Sequence, residues 1–98
     1  MAVFYIGSYD IVDPDEFQKY PPVVMALLPK CEVLASDTAA VLVEGIVRTM
    51  NAVIRFPSKE AALGLYNDPA YQDAKRVRQA STTNISMVLV DEFGAKKG

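Results

Sequence analysis

The chain has no histidine and one cysteine, Cys31, so the reactions open to it are few. Ser–His–Asp and Cys–His nucleophiles, imidazole metal sites and histidine-ligated haem all need a ring that it does not have. A thiolate zinc site needs further cysteines. No Gly-x-Gly-x-x-Gly segment or phosphate-binding loop occurs. Acid–base work would fall to carboxylates and phenols. Glu44, Asp10 and Glu92 are the candidate bases, a tyrosine the acid, and Arg55, Arg48 or Arg78 the group to hold an anion. Asp10, Asp13, Asp15 and Glu16 are tempting as a cation site, but helix capping explains the last three more simply. Cys31 has no base to lower its pKa and reads as a small apolar residue opening a strand. The catalytic set stays open, and no metal or cofactor is expected.

The elements that must position these groups can be read in order. Val3 to Tyr9 is aromatic and β-branched, as strands prefer. Asp13-Pro14-Asp15-Glu16 starts a helix carrying Phe17, Tyr20, Val24 and Leu27 or Leu28 at helical spacing. Pro21-Pro22 should split or kink it near Tyr20, and Pro29 ends it. Cys31–Ala35 and Ala40–Glu44 read as strand, with a bulge or bend at Ser36-Asp37-Thr38 and a turn at Gly45. Thr49–Phe56 is the next strand. Ser58 caps a helix with Ala61, Ala62, Leu65 and Tyr66 inside. Asp68-Pro69 restarts it, with Tyr71, Ala74, Val77 and Arg78 on one side. A polar loop at 80–83 precedes the last strand, Ile85–Phe93.

The order β-α-β-β-α-β predicts an α+β, ferredoxin-like fold: a four-stranded antiparallel sheet with both helices on one face. Ninety-eight residues allow one domain, 1–94, with a frayed tail at 95–98.

A sheet with one wet face should alternate apolar and polar residues. This one does not. Phe4 and Tyr5, Val41 and Leu42, Val53 and Ile54, and Val88 and Leu89 put apolar groups on both sides. A second face of about 400 Å² would leave on the order of 10 kcal/mol of burial available before association costs. The expectation is a homodimer packed sheet against sheet into an α+β barrel. Parity then turns Ala52, Ile54, Phe56, Ile85, Met87, Leu89, Phe4 and Ile6 to the helices. It turns Tyr5, Gly7, Tyr9, Asn51, Val53, Arg55, Ser86, Val88, Val90 and Glu92 to the partner. Tyr5, Tyr9, Asn51, Arg55 and Ser86 would then line an inter-sheet space among aliphatic walls. That space is either a small-molecule site or a buried hydrogen-bond network holding the dimer.

Ten basic and twelve acidic side chains leave a net charge of −2. The basic ones are scattered, without the clustered stripe that nucleic acid demands. Lys75-Arg76-Val77-Arg78 is the densest group and reads more simply as a solvated helix face. No apolar run is long enough to span a bilayer, and no basic stretch precedes an apolar one at the N-terminus. With a lone cysteine, a cytoplasmic location without nucleic-acid or membrane partners is expected.

One stretch carries a family resemblance. Phe56-Pro57-Ser58, Glu60-Ala61-Ala62, Tyr66, Asp68-Pro69, Tyr71-Gln72, Lys75 and Arg78 resemble the family catalogued as domain of unknown function 1330. Val12-Asp13-Pro14, Tyr20, Glu44-Gly45 and Arg48 agree with it, so the resemblance runs from Phe4 to Phe93. The chain departs from the pattern at Pro29-Lys30-Cys31, where a Gly-Gly pair is usual, and after Arg48, where proline is usual. The resemblance implies the dimeric α+β barrel superfamily, which includes cofactor-free monooxygenases, muconolactone-isomerase-like enzymes and small-ligand sensors. Three roles stay open. One is a cofactor-free enzyme moving a proton on a small organic acid or phenol. The others are a non-catalytic ligand binder, with Tyr5, Tyr9, Asn51, Arg55, Ser86 and Arg78 as contacts, and an adaptor dimer with a filled barrel.

Overall fold

The computed structural model describes residues 1–27 and 31–94. The expected end of the first helical region at Pro29 and the expected tail at 95–98 lie outside the described residues. The elements run β1 (Val3–Ile11), α1 (Pro14–Phe17), α2 (Tyr20–Ala26), β2 (Glu32–Asp37), β3 (Met50–Phe56), α3 (Lys59–Tyr66), α4 (Pro69–Ser81) and β4 (Thr82–Asp91). The four strands form one antiparallel sheet in the order β2-β3-β1-β4, so this is the α+β ferredoxin-like fold.

The helix starts follow the capping chemistry. The Asp13 carboxylate accepts from the Glu16 N–H at 3.1 Å, and Pro14 fills the first position, where no donor is missed. Ser58 Oγ accepts from the Ala61 N–H at 3.0 Å and Asp68 Oδ1 from the Ala70 N–H at 2.8 Å. Pro21 and Pro22 fall in the first turn of α2, so the proline pair separates α1 from α2 instead of kinking a single helix.

Two expected boundaries are corrected. Ala40–Glu44 is not strand: the chain leaves the sheet after Asp37 and rejoins it at Met50. Its β-branched residues find no neighbouring strand to pair with, and propensity without pairing does not make a strand. Nor is there a loop at 80–83, because α4 runs straight into β4. Hydroxyls make the junction: Ser81 Oγ donates to the Val77 carbonyl and Thr82 Oγ1 to the Arg78 carbonyl, both at 2.6 Å.

Register sorts the two sheet faces. Val3 pairs with Phe56, Tyr5 with Ile54 and Leu89, and Gly7 with Ala52 and Met87. These sit under the helices, where Val3, Phe56 and Ala62 form the buried core with Tyr5, Ile54, Leu65 and Leu89 packed on it. The opposite face shows three rows across the strands: Asp37–Asn51–Ser8–Ser86, Ala35–Val53–Ile6–Val88, and Glu32–Arg55–Phe4–Val90. Ile6, Val88 and Val90 are 42–50% exposed there.

The expected parity of β3 holds, and that of β1 is reversed. Tyr5, Gly7 and Tyr9 face the helices, whereas Phe4 and Ile6 face outward. Gly7 shows one reason. A Cβ built on it would lie 2.7 Å from the Tyr5 ring, so that ring folds over the bare backbone on the helix side. Among the described residues no helix is long and apolar enough to cross a membrane.

Candidate functional site

A cavity of about 260 Å³ lies between the helices and the inner sheet face. Tyr5, Ile54, Phe56 and Leu89 form its sheet wall, and Tyr20, Val24, Leu63, Tyr66 and Tyr71 its helix wall. The chain has five tyrosines, and all five gather on this side of the sheet. Rings follow one another from Tyr9 to Phe17 (5.9 Å between centroids), Phe17 to Tyr20 (5.5 Å), Tyr20 to Tyr71 (6.2 Å) and Tyr71 to Tyr66 (5.8 Å). The Tyr20 and Tyr71 hydroxyls meet at 2.7 Å. Lys75 Nζ sits 4.4 Å from the Tyr66 ring centre, a cation over the outer end of the series.

Arg78 is the charge inside this cluster. It lies one turn beyond Ala74 and two turns beyond Tyr71 on the buried face of α4, and it is 1% exposed. Its surroundings correct the reading of Lys75–Arg78 as a wholly solvated face: the helix turns Arg76 outward to Asp73 and Arg78 inward. Tyr71 is the hydrogen-bonding side chain for the guanidinium, with Tyr20 and Tyr5 close by. Nε and Nη2 are buried without a hydrogen-bond partner among the described residues. A buried guanidinium is ordinarily matched by a carboxylate. Here phenols face it instead.

Tyr5, Tyr9 and Tyr20 keep their protons at every ordinary pH. Burial pushes Tyr9 up to about 12, against the opposing pull of Arg78. Burial, with Tyr71 as the next contributor, raises Tyr5 and Tyr20 well above the usual phenol value. Burial by itself would lower the pKa of Arg78. Its interaction with Tyr71, hydrogen bond included, outweighs this, so the guanidinium stays charged. The site is thus one cation and several neutral hydroxyls beside an apolar hollow.

The sequence-derived contacts divide between the two faces. Tyr5, Tyr9 and Arg78 come together on the helix side, whereas Asn51, Arg55 and Ser86 lie in the outer rows. The cavity lies under the helices, on the sheet face opposite to the one that carries Asn51, Arg55 and Ser86. Asn51 Nδ2 donates to the Arg48 carbonyl at 3.0 Å. Arg55 stands between Glu32 and Phe4 in register. Tyr20, Tyr66 and Tyr71 were missed as site residues, although the 71, 74, 78 spacing that puts Arg78 on an inner face places Tyr71 there too.

The candidate bases lie elsewhere. Asp10 accepts from the Thr49 N–H at 3.0 Å, from Asn84 Nδ2 at 3.0 Å and from Arg48 at 3.4 Å. The Asn84 bond first, and then Thr49, hold its carboxyl below the usual range. Arg48, a candidate anion holder, is thus paired with Asp10 and is not among the residues lining the cavity under the helices. Cys31 borders the cavity, where burial pushes its thiol up and away from reactivity. Among the described residues no cluster of acids and thiols could hold a metal ion.

The architecture recurs in solved structures. A dimeric ferredoxin-like protein of unknown function from Jannaschia sp. CCS1 superposes with a TM-score of 0.78 at 14% identity, over 94% of this chain and 100% of that one. A dimeric protein of unknown function and ferredoxin-like fold from Bacteroides fragilis NCTC 9343 gives 0.61 at 10% identity, over 93% and 96%. An antibiotic biosynthesis monooxygenase gives 0.55 at 16% identity, over 94% and 98%. At such identities the likeness carries the fold alone. No curated protein matches the sequence. The family resemblance read from the second-helix motif is met directly: residues 2–93 match the model described as Domain of unknown function (DUF1330), and the chain belongs to that family.

Proposed function

We propose that this chain is a homodimeric binder of a small organic anion, holding the anionic group at Arg78 and an apolar body in the cavity under the helices. The observation that carries this reading is the 1%-exposed guanidinium with two unmatched nitrogens, Nε and Nη2, among phenols. An incoming carboxylate would supply the acceptors that the site lacks, through charge-assisted bonds. Tyr5, Tyr20 and Tyr71 belong both to the surroundings of Arg78 and to the cavity wall, so head group and body would occupy one continuous site. At about 260 Å³ the hollow is just below the roughly 300–1,000 Å³ usual for ligand pockets, which suits a one-ring acid and not a dinucleotide.

The homodimer reading is supported by the apolar row Ala35–Val53–Ile6–Val88 on the outer face and by the dimeric state of two structural neighbours. Arg55, Asn51 and Ser86 would then meet the partner sheet instead of a ligand. A cytoplasmic location fits the half-buried free thiol of Cys31. Proton-transfer catalysis has less support. No carboxylate is found among the described residues lining the cavity, and phenols of raised pKa hold their protons too tightly to serve as general acids near neutral pH.

The test is a thermal-shift screen with benzoate, 4-hydroxybenzoate, phenylacetate and phenol at fixed protein concentration. A carboxylate present at ten times its Kd should stabilise the fold by about 1.4 kcal/mol, a rise of several degrees. The shift should vanish in Arg78→Met. Absence of any shift with all three carboxylates at millimolar concentration would sink the proposal.

A further inference from the structure

Residues 38–49 leave the sheet between β2 and β3 and carry an apolar surface into solvent. Val41 is 87% exposed, Val43 94%, Ile46 77%, Leu42 51% and Val47 42%. Surface loops ordinarily hold Gly, Asn, Asp and Ser. Here five aliphatic residues fall within seven positions, with only Glu44 and Gly45 among them. Gly45 turns the tip at φ +93°. The base is pinned. Asp10 receives the Thr49 N–H and hydroxyl, Arg48 and Asn84, and Asp37 Oδ1 accepts from the Ala39 N–H at 2.7 Å. A fixed base and an aliphatic tip describe an arm, not a slack connection.

We propose that this arm is an inter-subunit clasp whose aliphatic tip packs against a second copy of this chain. The inference rests on the homodimer reading above and adds the element that secures it. Surface area argues for a second copy as the occupant. The chain exposes 6339 Å². A compact chain of 10.7 kDa should expose about 5,500 Å². The surplus, about 800 Å², matches the share that one partner contributes to a standard stable interface. Position argues for it too. The arm springs from the strand ends beside Asp37 and Asn51, which close one end of the outer face. The arm thus borders the outer face, one row (Asp37–Asn51–Ser8–Ser86) away from the apolar row, and a two-fold axis would let each copy give an arm and receive one.

Three measurements on the full chain test this. Sedimentation equilibrium should show the wild type as a dimer at micromolar concentration. The double variant Val41→Asp/Val43→Asp should keep its circular dichroism spectrum, since both sites are exposed, yet dissociate about 100-fold more readily. A photo-crosslinking benzoylphenylalanine at Val43 should give a product of twice the chain mass in purified protein, with the crosslink mapped to the other copy. A monomeric wild type overturns both the dimer and the clasp. Suppose instead that Ile6→Asp on the outer face separates the subunits, while the arm variant dimerises as tightly as wild type and the crosslinker reacts only within its own chain. The clasp is then wrong and the dimer stands. Ladders of higher mass overturn the closed two-fold exchange.

Discussion

Replacing Arg78 by methionine separates a ligand-holding guanidinium from a structural one. Methionine keeps most of the unbranched stem and removes the charge with its buried N–H groups. Swapping a buried, poorly matched charge for an apolar side chain of similar volume is often neutral or stabilising, by about 1–4 kcal/mol. Nε and Nη2 each carry an unmet desolvation cost of about 1–3 kcal/mol. Against this, the Tyr71 hydroxyl loses its bond to the guanidinium, about 1 kcal/mol. The net expectation is a ligand-free variant more stable by about 1 kcal/mol, or about 4–8 °C in Tm for a chain of this size. Binding should move the other way. Two charge-assisted hydrogen bonds to a carboxylate contribute about 1.5–3 kcal/mol each, so the Kd should weaken by about 10²–10⁴-fold. Calorimetric unfolding at one protein concentration reads the first quantity, and titration with the tightest-binding acid of the screen reads the second. A fall in Tm of more than about 8 °C would show a guanidinium that the fold needs. An unchanged Kd would show a ligand that never meets it.

Gly7→Ala should destabilise by about 1–3 kcal/mol, because its Cβ would stand 2.7 Å from the Tyr5 ring. Chemical denaturation measures this, and Tyr5→Ala in the same chain should relieve part of it. Tyr9 has its folded-state pKa raised to about 12 from an ordinary 10, so its contribution is complete below pH 10 and is lost as pH rises towards 12. Stability followed by fluorescence should fall across that window, and Tyr9→Phe should flatten part of the fall. For Asp10 the sign is opposite. Its lowered pKa gives a contribution present above about pH 4 and lost as pH falls through the folded-state value. Asp10→Asn should raise amide exchange at Thr49 about tenfold at neutral pH while leaving the β1–β3 ladder protected.

Local rules carried the element order. Asp13, Ser58 and Asp68 cap helices because a short acceptor before a helical run satisfies free N–H groups whatever surrounds it. The ferredoxin-like topology follows from that order, because connection rules leave few alternatives. The second-helix motif likewise identified the family over almost the whole chain.

Which face a residue takes is decided in three dimensions. Phe4 and Ile6 are as apolar as Tyr5 and Tyr9, so alternation in β1 permits either parity. Register against Phe56 and Ile54, with a bare Gly7 under the Tyr5 ring, selects the tyrosines for the inside. The same holds for 40–44, where strand-like residues lack a partner strand, and for Arg78, whose charge reads as surface until α4 is laid against the sheet. Sequence alone determined the order of the elements and the family, because capping and spacing act over a few residues. Only the tertiary structure decided that four tyrosines from distant segments, Tyr5, Tyr9, Tyr20 and Tyr71, surround one arginine, because burial depends on what the rest of the chain packs against.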